Sequence, residues 1–164
     1  MERSLRAHLP HGQFEGTTPR DSRTMQAVRG RNNRTTEKRL RFGLVRRGVV
    51  GWQVQPGGLM GKPDFFFPAR NVAVFVDGCF WHGCPECGHV PRKNVSFWRA
   101  KIGRNRYRDR IVDAELEQQG IRVLRFWEHE LDLGLGACIK KVIACLKEPP
   151  IPERKRGGTI RVTF

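Results

Sequence analysis

The stretch Asp64-Phe65-Phe66-Phe67-Pro68-Ala69-Arg70-Asn71-Val72-Ala73-Val74-Phe75-Val76-Asp77 decides the fold. Two short runs of aromatic and β-branched residues flank a Pro-Ala-Arg-Asn break, the pattern of a β-hairpin. With the turn centred between Arg70 and Asn71, Asp64 lies opposite Asp77. Opposed residues of an antiparallel pair carry Cβ atoms about 4.5–5.5 Å apart on one face. Two facing carboxylates repel unless a cation lies between them, and hard oxygen ligands suit Mg²⁺. Asp64 and Asp77 are therefore a candidate metal pair. The competing description is of two unrelated turn aspartates, since Asp is common in turns.

Working outward, Leu40, Leu44 and Val45 recur at a helical period. Glu37 suits the first turn and Gly48 the C-terminal cap, which predicts a helix over 35–47. Residues 49–54 read as a short strand, and 55–62 (QPGGLMGK) as a loop. Beyond the hairpin, 78–92 is an irregular loop rich in Cys, His, Gly and Pro. Asn94 is placed to cap a long helix running to Gly120, weakened in the middle by Gly103. IRVLRFW (121–127) is a strand, and Ile139, Val142, Ile143 and Leu146 mark a final helix over 137–147. The order is helix, three strands, helix, strand, helix, a mixed three-layer α/β pattern.

A chain of 164 residues fits one domain burying about 70% of its unfolded surface. Ten Phe and four Trp within 38% hydrophobic residues exclude a wholly disordered basic protein. The longest apolar runs, such as 72–76, fall far short of the ~20 residues a bilayer needs, so no membrane role is expected. Residues 1–16 lack an apolar h-region, which points to the cytoplasm and, for a DNA-bound protein, the nucleoid. Lys plus Arg number 31 against 16 acids, a formal charge of +15. Such a surplus favours a polyanion, because each neutralised phosphate releases counterions. Residues 1–33, rich in Arg, Gly and Pro, are expected to be mostly a mobile arm, and the residues after Pro149 a loose basic tail.

Cys79, Cys84 and Cys87 crowd into nine residues, with His82 and His89 among them and His129 distant in sequence. In a reducing compartment this density reads as metal ligation before disulfides. Tetrahedral Zn²⁺ wants four such ligands, and His82, His89 and His129 compete for the fourth place. Cys138 and Cys145, seven apart on the last helix, read as small core residues. Phe80-Trp81 lie inside the Cys loop, and Trp98 opens the long helix in a segment crowded with Arg. An apolar side chain flanked by such charge can wedge between base pairs. For Trp98 alone, burial in the core is the more ordinary placement.

The residues as a set resemble a known family. The strings Gly61-Lys62-Pro63-Asp64, Val74-Phe75-Val76-Asp77-Gly78-Cys79-Phe80-Trp81-His82-Gly83-Cys84, Phe97-Trp98-x-x-Lys101-Ile102-Gly103-x-Asn105-x-x-Arg108-Asp109 and Arg122-Val123-Leu124-x-x-Trp127-Glu128 look like the very short patch repair (Vsr) DNA mismatch endonucleases. The likeness covers roughly residues 21–147 and includes DSRTMQAVR (21–29) and TEKRL (36–40). It implies a restriction-endonuclease-like core of αβββαβ order with a structural zinc site. The domain would span 21–148, between a basic arm (1–20) and a basic tail (149–164). The activity it implies is Mg²⁺-dependent nicking of one strand 5′ to the thymine of a T·G mismatch, the product of 5-methylcytosine deamination. Double-stranded DNA carrying that mismatch is the implied partner of a monomer, with repair proteins as candidate further partners.

Position by position, the resemblance makes Asp64 the catalytic metal-binding aspartate, Val76 a further Mg²⁺ contact partly through backbone, His82 the water-activating histidine and Glu37 a helix acid near the same centre. Cys79, Cys84, Cys87 and His129 fall at or beside the zinc positions. Phe80, Trp81 and Trp98 match the aromatic wedge, with Met25 entering from the other side. Arg29, Lys62, Lys101, Arg104 and Arg108 are expected at the DNA backbone. Two departures stand out. Asp77 occupies a position that is often histidine in the family and is expected as an added catalytic Mg²⁺ ligand. Many members carry His and Cys where this chain has Cys84 and Cys87, and Cys where it has His129, so the zinc set survives only if these exchanges compensate. The alternatives to a mismatch nickase are a broader or modification-dependent nuclease on the same core and a catalytically idle, zinc-stabilised reader of mismatched DNA.

Overall fold

The computed structural model describes residues 36–149 together with Leu5, Ala7, His8, Leu9, Phe14, Gly16 and Thr18. Helix α1 (Thr36–Arg46) ends where Gly48 adopts a φ of +71°, and the Val49 N–H closes back on the Leu44 carbonyl, as the sequence predicts. Strand β1 (Phe65–Phe67), a 3₁₀ turn over Pro68–Arg70 and strand β2 (Val72–Asp77) form the hairpin. Helix α2 (Val95–Gln118) then leads to β3 (Arg122–Trp127), which pairs with β2 in parallel. Helix α3 (Glu128–Lys147) closes the described fold.

The sheet has three strands in the order β1-β2-β3. Side-chain alternation sorts its two faces. Phe65, Phe67, Val72, Val74 and Phe126 join Leu40 and Leu44 of α1 and Leu131, Cys138, Ile139, Val142 and Cys145 of α3 in one core. Ala73 and Phe75 face Val112 and Leu116 of α2 in the other. Cys138 and Cys145 are thus the core residues their spacing suggests. Arg39 of α1 pairs with Asp132 of α3. Arg122 donates to the Cys145 and Pro149 carbonyls, 3.0 Å each, and so satisfies acceptors at the end of α3.

Four expectations change. The hairpin register pairs Phe65 with Val74 and Phe67 with Val72, because the left-handed Asn71 (φ 50°) follows a 3₁₀ turn and shifts the pairing by two residues. Extended outward, this register sets Asp64 opposite Phe75. A two-residue shift preserves the face, so Asp64 and Asp77 stay on the α2 side without being directly opposed. The strand expected over 49–54 shrinks to one bridge, Gln53 to Phe66, since Gly51 (φ 86°) and Gln55 (φ 44°) turn the chain on either side. The last helix starts nine residues early. Glu128 and Glu130 occupy its first turn, the Glu130 carboxylate accepts the Trp127 N–H at 2.8 Å, and a kink at Gly134 breaks the period that the sequence reading relied on. Asn94 precedes α2 in left-handed conformation without a side-chain capping bond.

Leu5 and Leu9 of the expected mobile arm are buried against Phe97, with Phe14 and Trp98 alongside, and Lys93 Nζ donates to the Gly16 carbonyl at 2.6 Å. At these positions apolar side chains dock the arm. Met25 and Arg29 lie outside the described residues.

Candidate active site and metal cluster

The carboxyl ends of the parallel pair β2 and β3 project Asp77 and Trp127, and the loop after β2 passes between them and α2. An open cleft of about 750 Å³ forms there, and Glu37, Asp64, Val76, Asp77, His82 and Arg125 line it. Its cationic wall is Lys62, Lys101, Arg104 and Arg108, four of the five residues expected at the DNA backbone. Gly61 sets the approach to Asp64. Its φ is +77°, and an added Cβ would meet Val112 Cγ1 at 2.4 Å, so only glycine fits there without strain.

Asp64 Oδ2 accepts the Val76 N–H at 2.7 Å. Burial, the largest influence, pushes its pKa from 3.8 to about 7, and Glu37 and Asp77 push the same way. The Val76 N–H and Arg125 hold it back. The protonatable Asp64 carboxyl, the Val76 backbone and Glu37 line this part of the cleft together, an oxygen-rich set that fits a hard divalent cation.

His82 Nδ1 lies 2.7 Å from Asp109 Oδ2 and 3.7 Å from Asp77 Oδ1. Burial alone would lower the His82 pKa, but the Asp109 hydrogen bond and the charges of Asp77 and Asp109 raise it above its ordinary value. Asp77 is buried and grips Arg125, whose Nη1 lies 2.9 and 3.0 Å from its two oxygens. Arg125 Nε donates to both oxygens of Asp113, at 2.9 and 3.1 Å. Sequence reasoning gave no role to Asp109, Asp113 or Arg125. The one signal available was an Arg on the buried-strand pattern of IRVLRFW, a placement that calls for acidic partners.

Next to the cleft, Cys79, Cys84, Cys87 and His129 bring their ligand atoms within 4.8 Å of one another. His129 Nδ1 lies 3.3, 3.5 and 3.4 Å from the Cys79, Cys84 and Cys87 sulfurs, and Cys87 Sγ lies 3.6 Å from Cys84 Sγ. Bonds of about 2.3 Å to sulfur and 2.0–2.1 Å to nitrogen put tetrahedral neighbours about 3.6–3.8 Å apart. The observed separations lie about 0.1–0.3 Å below these values, so the four residues fit such a centre with only a small expansion. His82 is engaged by Asp109 and His89 lies tilted against Phe80 with centroids 5.5 Å apart, so His129 supplies the fourth ligand atom of this Cys₃His group. Glu86 Oε2 lies 3.1 Å from His129 Nε2, the outer-shell carboxylate that fixes which imidazole nitrogen faces a metal. Sequence reading missed Glu86.

Phe80, Trp81 and Trp98 cluster between these two sites, with Phe80 centroids 4.9 Å from Trp81 and 5.3 Å from Trp98. Asn105 anchors the loop by donating to the Trp81 carbonyl at 2.9 Å. Lys101 Nζ stands 5.8 Å over the Trp81 ring. Trp98 is half-buried, touching both this cluster and Phe97.

Fold and site together define a mixed α/β protein in which an acid–histidine cleft with a cationic wall adjoins a Cys₃His group able to hold a metal. A family model described as DNA mismatch endonuclease Vsr matches residues 16–88. The chain is 47% identical over 113 residues, 66% of its length and 68% of the relative's, to the type II nicking enzyme V.NaeI of Lentzea aerocolonigenes. It is 42% identical over 123 residues (73% and 88%) to V.XorIIP of Xanthomonas oryzae. It is 38% identical over 109 residues (65% and 68%) to the DNA mismatch endonuclease Vsr of Escherichia coli. The chain belongs to the Vsr family of DNA endonucleases. Among the described residues no helix is long and apolar enough to cross a membrane.

Proposed function

We propose that the protein hydrolyses one strand of duplex DNA at a T·G mismatch, 5′ to the thymine, with Mg²⁺ at Asp64 and a structural Zn²⁺ in the Cys₃His group. The carrying observation is convergence. Asp64, the His82–Asp109 pair and the cations Lys62, Lys101, Arg104 and Arg108 meet in one cleft beside the Phe80–Trp81–Trp98 cluster. The three-layer order around β2 agrees with a restriction-endonuclease-like core.

Asp64 and the Val76 carbonyl would hold the magnesium ion, which supplies charge stabilisation at the phosphate and acidifies a water. The chain's own residues do the rest. With Nδ1–H donating to Asp109, His82 keeps Nε2 as the base that takes a proton from the attacking water. Asp109 thereby fixes the tautomer and balances the imidazolium charge. Lys62, Lys101, Arg104 and Arg108 seat the phosphates without reading sequence. Phe80, Trp81 and Trp98 form the wedge, and a mismatched step opens at less cost than a paired one, which places selectivity at insertion. Action on chromosomal DNA would place the protein at the nucleoid.

The test uses zinc-loaded protein, Mg²⁺ and end-labelled duplexes that differ only in carrying T·G or C·G, with Asp64→Ala as control. A nick on the thymine strand of the mismatch alone, lost in the control, is the expected result. Cutting of both duplexes replaces the reading with a broader nuclease, and binding without cutting replaces it with an idle reader.

A further inference from the structure

We propose that Arg125 is a positioning residue that withdraws Asp77 from the metal site and commits its carboxylate to the His82 side of the cleft. The assignment rests on the nuclease reading only for its catalytic consequence; its geometry stands independently. Asp77 is buried, and both of its oxygens lie within 3.0 Å of one guanidinium nitrogen. The guanidinium is itself fixed from three sides. Strand β3 carries it, Asp113 of α2 takes Nε and Nη2, the latter at 2.8 Å, and the Phe75 ring lies beneath it at 4.3 Å. Arg stays charged at any working pH, and with its Nε–Nη2 edge set on Asp113 its Nη1 is aimed at both Asp77 oxygens.

An Mg²⁺ ion bound to Asp77 would sit against that guanidinium, and octahedral coordination at about 2.0–2.1 Å tolerates little displacement of its ligands. The two cations compete for one carboxylate, and the one built into the sheet is already seated. Asp64 differs. Its carboxylate accepts the Val76 N–H, and Arg125, which grips Asp77 directly, acts on Asp64 only as a charge at longer range. Asp77 instead faces His82 Nδ1 at 3.7 Å, beside Asp109, and Arg125 Nη1 reaches to 4.0 Å from Asp109 Oδ1. Arg125 thus gathers the acids around the imidazole and offsets their charge. The same arrangement gives the Asp at position 77 a use other than metal binding.

The experiment measures Mn²⁺ binding by electron paramagnetic resonance on the full, zinc-loaded chain with a mismatched duplex. Asp64→Asn is expected to weaken binding by about tenfold or more, the scale of losing a metal's supporting shell. Asp77→Asn leaves it within about threefold, since a group outside the coordination sphere acts only at a distance. Arg125→Met frees the Asp77 carboxylate, so Mn²⁺ binds more tightly or a second ion appears, and Asp77→Asn/Arg125→Met cancels that gain. If Arg125→Met fails to fold, Asp77→Asn and the charge-free double variant still decide. Weakening by Asp77→Asn equal to that of Asp64→Asn overturns the proposal, as does a wild type that binds no Mn²⁺. A wild type that binds Mn²⁺ as expected yet nicks no T·G duplex refutes the nuclease reading and leaves the assignment of Arg125 intact.

Discussion

Replacing Asp64 by Asn should stabilise the magnesium-free protein at pH 8. The Asp64 carboxyl ionises at about 7 in the fold against an ordinary 3.8. Between these values the folded chain holds a proton that the unfolded chain releases, so stability falls as pH rises through that window. Above the upper value the full penalty of a buried, uncompensated carboxylate remains. At about 1.36 kcal/mol per pH unit that rise corresponds to about 4 kcal/mol, and water entry from the open cleft reduces it to about 2–4 kcal/mol. For a chain of this size 1 kcal/mol moves the melting temperature by about 2–4 °C, so the variant should melt about 5–15 °C higher. The Asn amide oxygen still accepts the Val76 N–H, and its amino group faces the cleft.

The assay is thermal unfolding of wild type and Asp64→Asn from pH 4 to 9, with zinc retained and magnesium absent. The two melting curves should converge near pH 4, where Asp64 is protonated, and separate as pH rises. Saturating Mg²⁺ should raise the wild type alone and narrow the gap, because a ligand that binds only the folded state stabilises it. A variant that melts with or below the wild type at pH 8 would refute the reasoning, since the carboxylate would then already be compensated by protein groups.

Asp109→Asn should move the rising limb of the nicking pH profile to lower pH while lowering the maximum, because the contacts that raise the His82 pKa also fix its ring; initial rates across pH test both. His129→Ala should lose the zinc equivalent, and Glu86→Ala should weaken zinc affinity by about tenfold by freeing Nε2, both read by competition with a chelating dye. Gly61→Ala should destabilise by about 1–3 kcal/mol, from its left-handed backbone and the contact with Val112, as seen in denaturant melts. Gly103→Ala, in a helix and with nothing within 4 Å of an added Cβ, should instead stabilise by about 0.5–1 kcal/mol in the same melts.

Local chemistry was legible wherever the signal lay within one element. The period of Leu40 and Leu44, the aromatic hairpin and the CxxC spacing each specify their own structure, and α1, β2, α2 and β3 emerge near their predicted bounds. Asp64 and Asp77 were correctly grouped on one face, although the register was off by two, because the error had the parity of the pleat. What sequence could not give were partners chosen by tertiary packing. Asp109 is 27 residues from His82 and Arg125 is 48 from Asp77, and no periodicity links such positions. The fourth member of the Cys₃His group is ambiguous in sequence for the same reason: three histidines satisfy the spacing, and only the start of α3 at Glu128 places His129 Nδ1 among the sulfurs. The apolar period marks only the second half of the last helix, because Gly134 and Gly136 interrupt it and the first turn is set by a polar signal, Glu130 capping.

The segment from Val76 to Cys84 joins the Cys₃His group to the cleft beside it. Within nine residues the chain supplies the N–H that Asp64 accepts, the Asp77 partner of Arg125, two cluster sulfurs, two aromatic rings and His82. Cys79 and Cys84 bracket Phe80, Trp81 and His82, and His129 ties both sulfurs to the first turn of α3, which continues directly from β3. The group thereby references the loop to the strand that carries Arg125, so the Phe80 and Trp81 rings and the His82 imidazole share one frame with the acids. A metal held there would add order to the loop without entering the cleft, which makes the Cys₃His group a structural brace for the groups that line it.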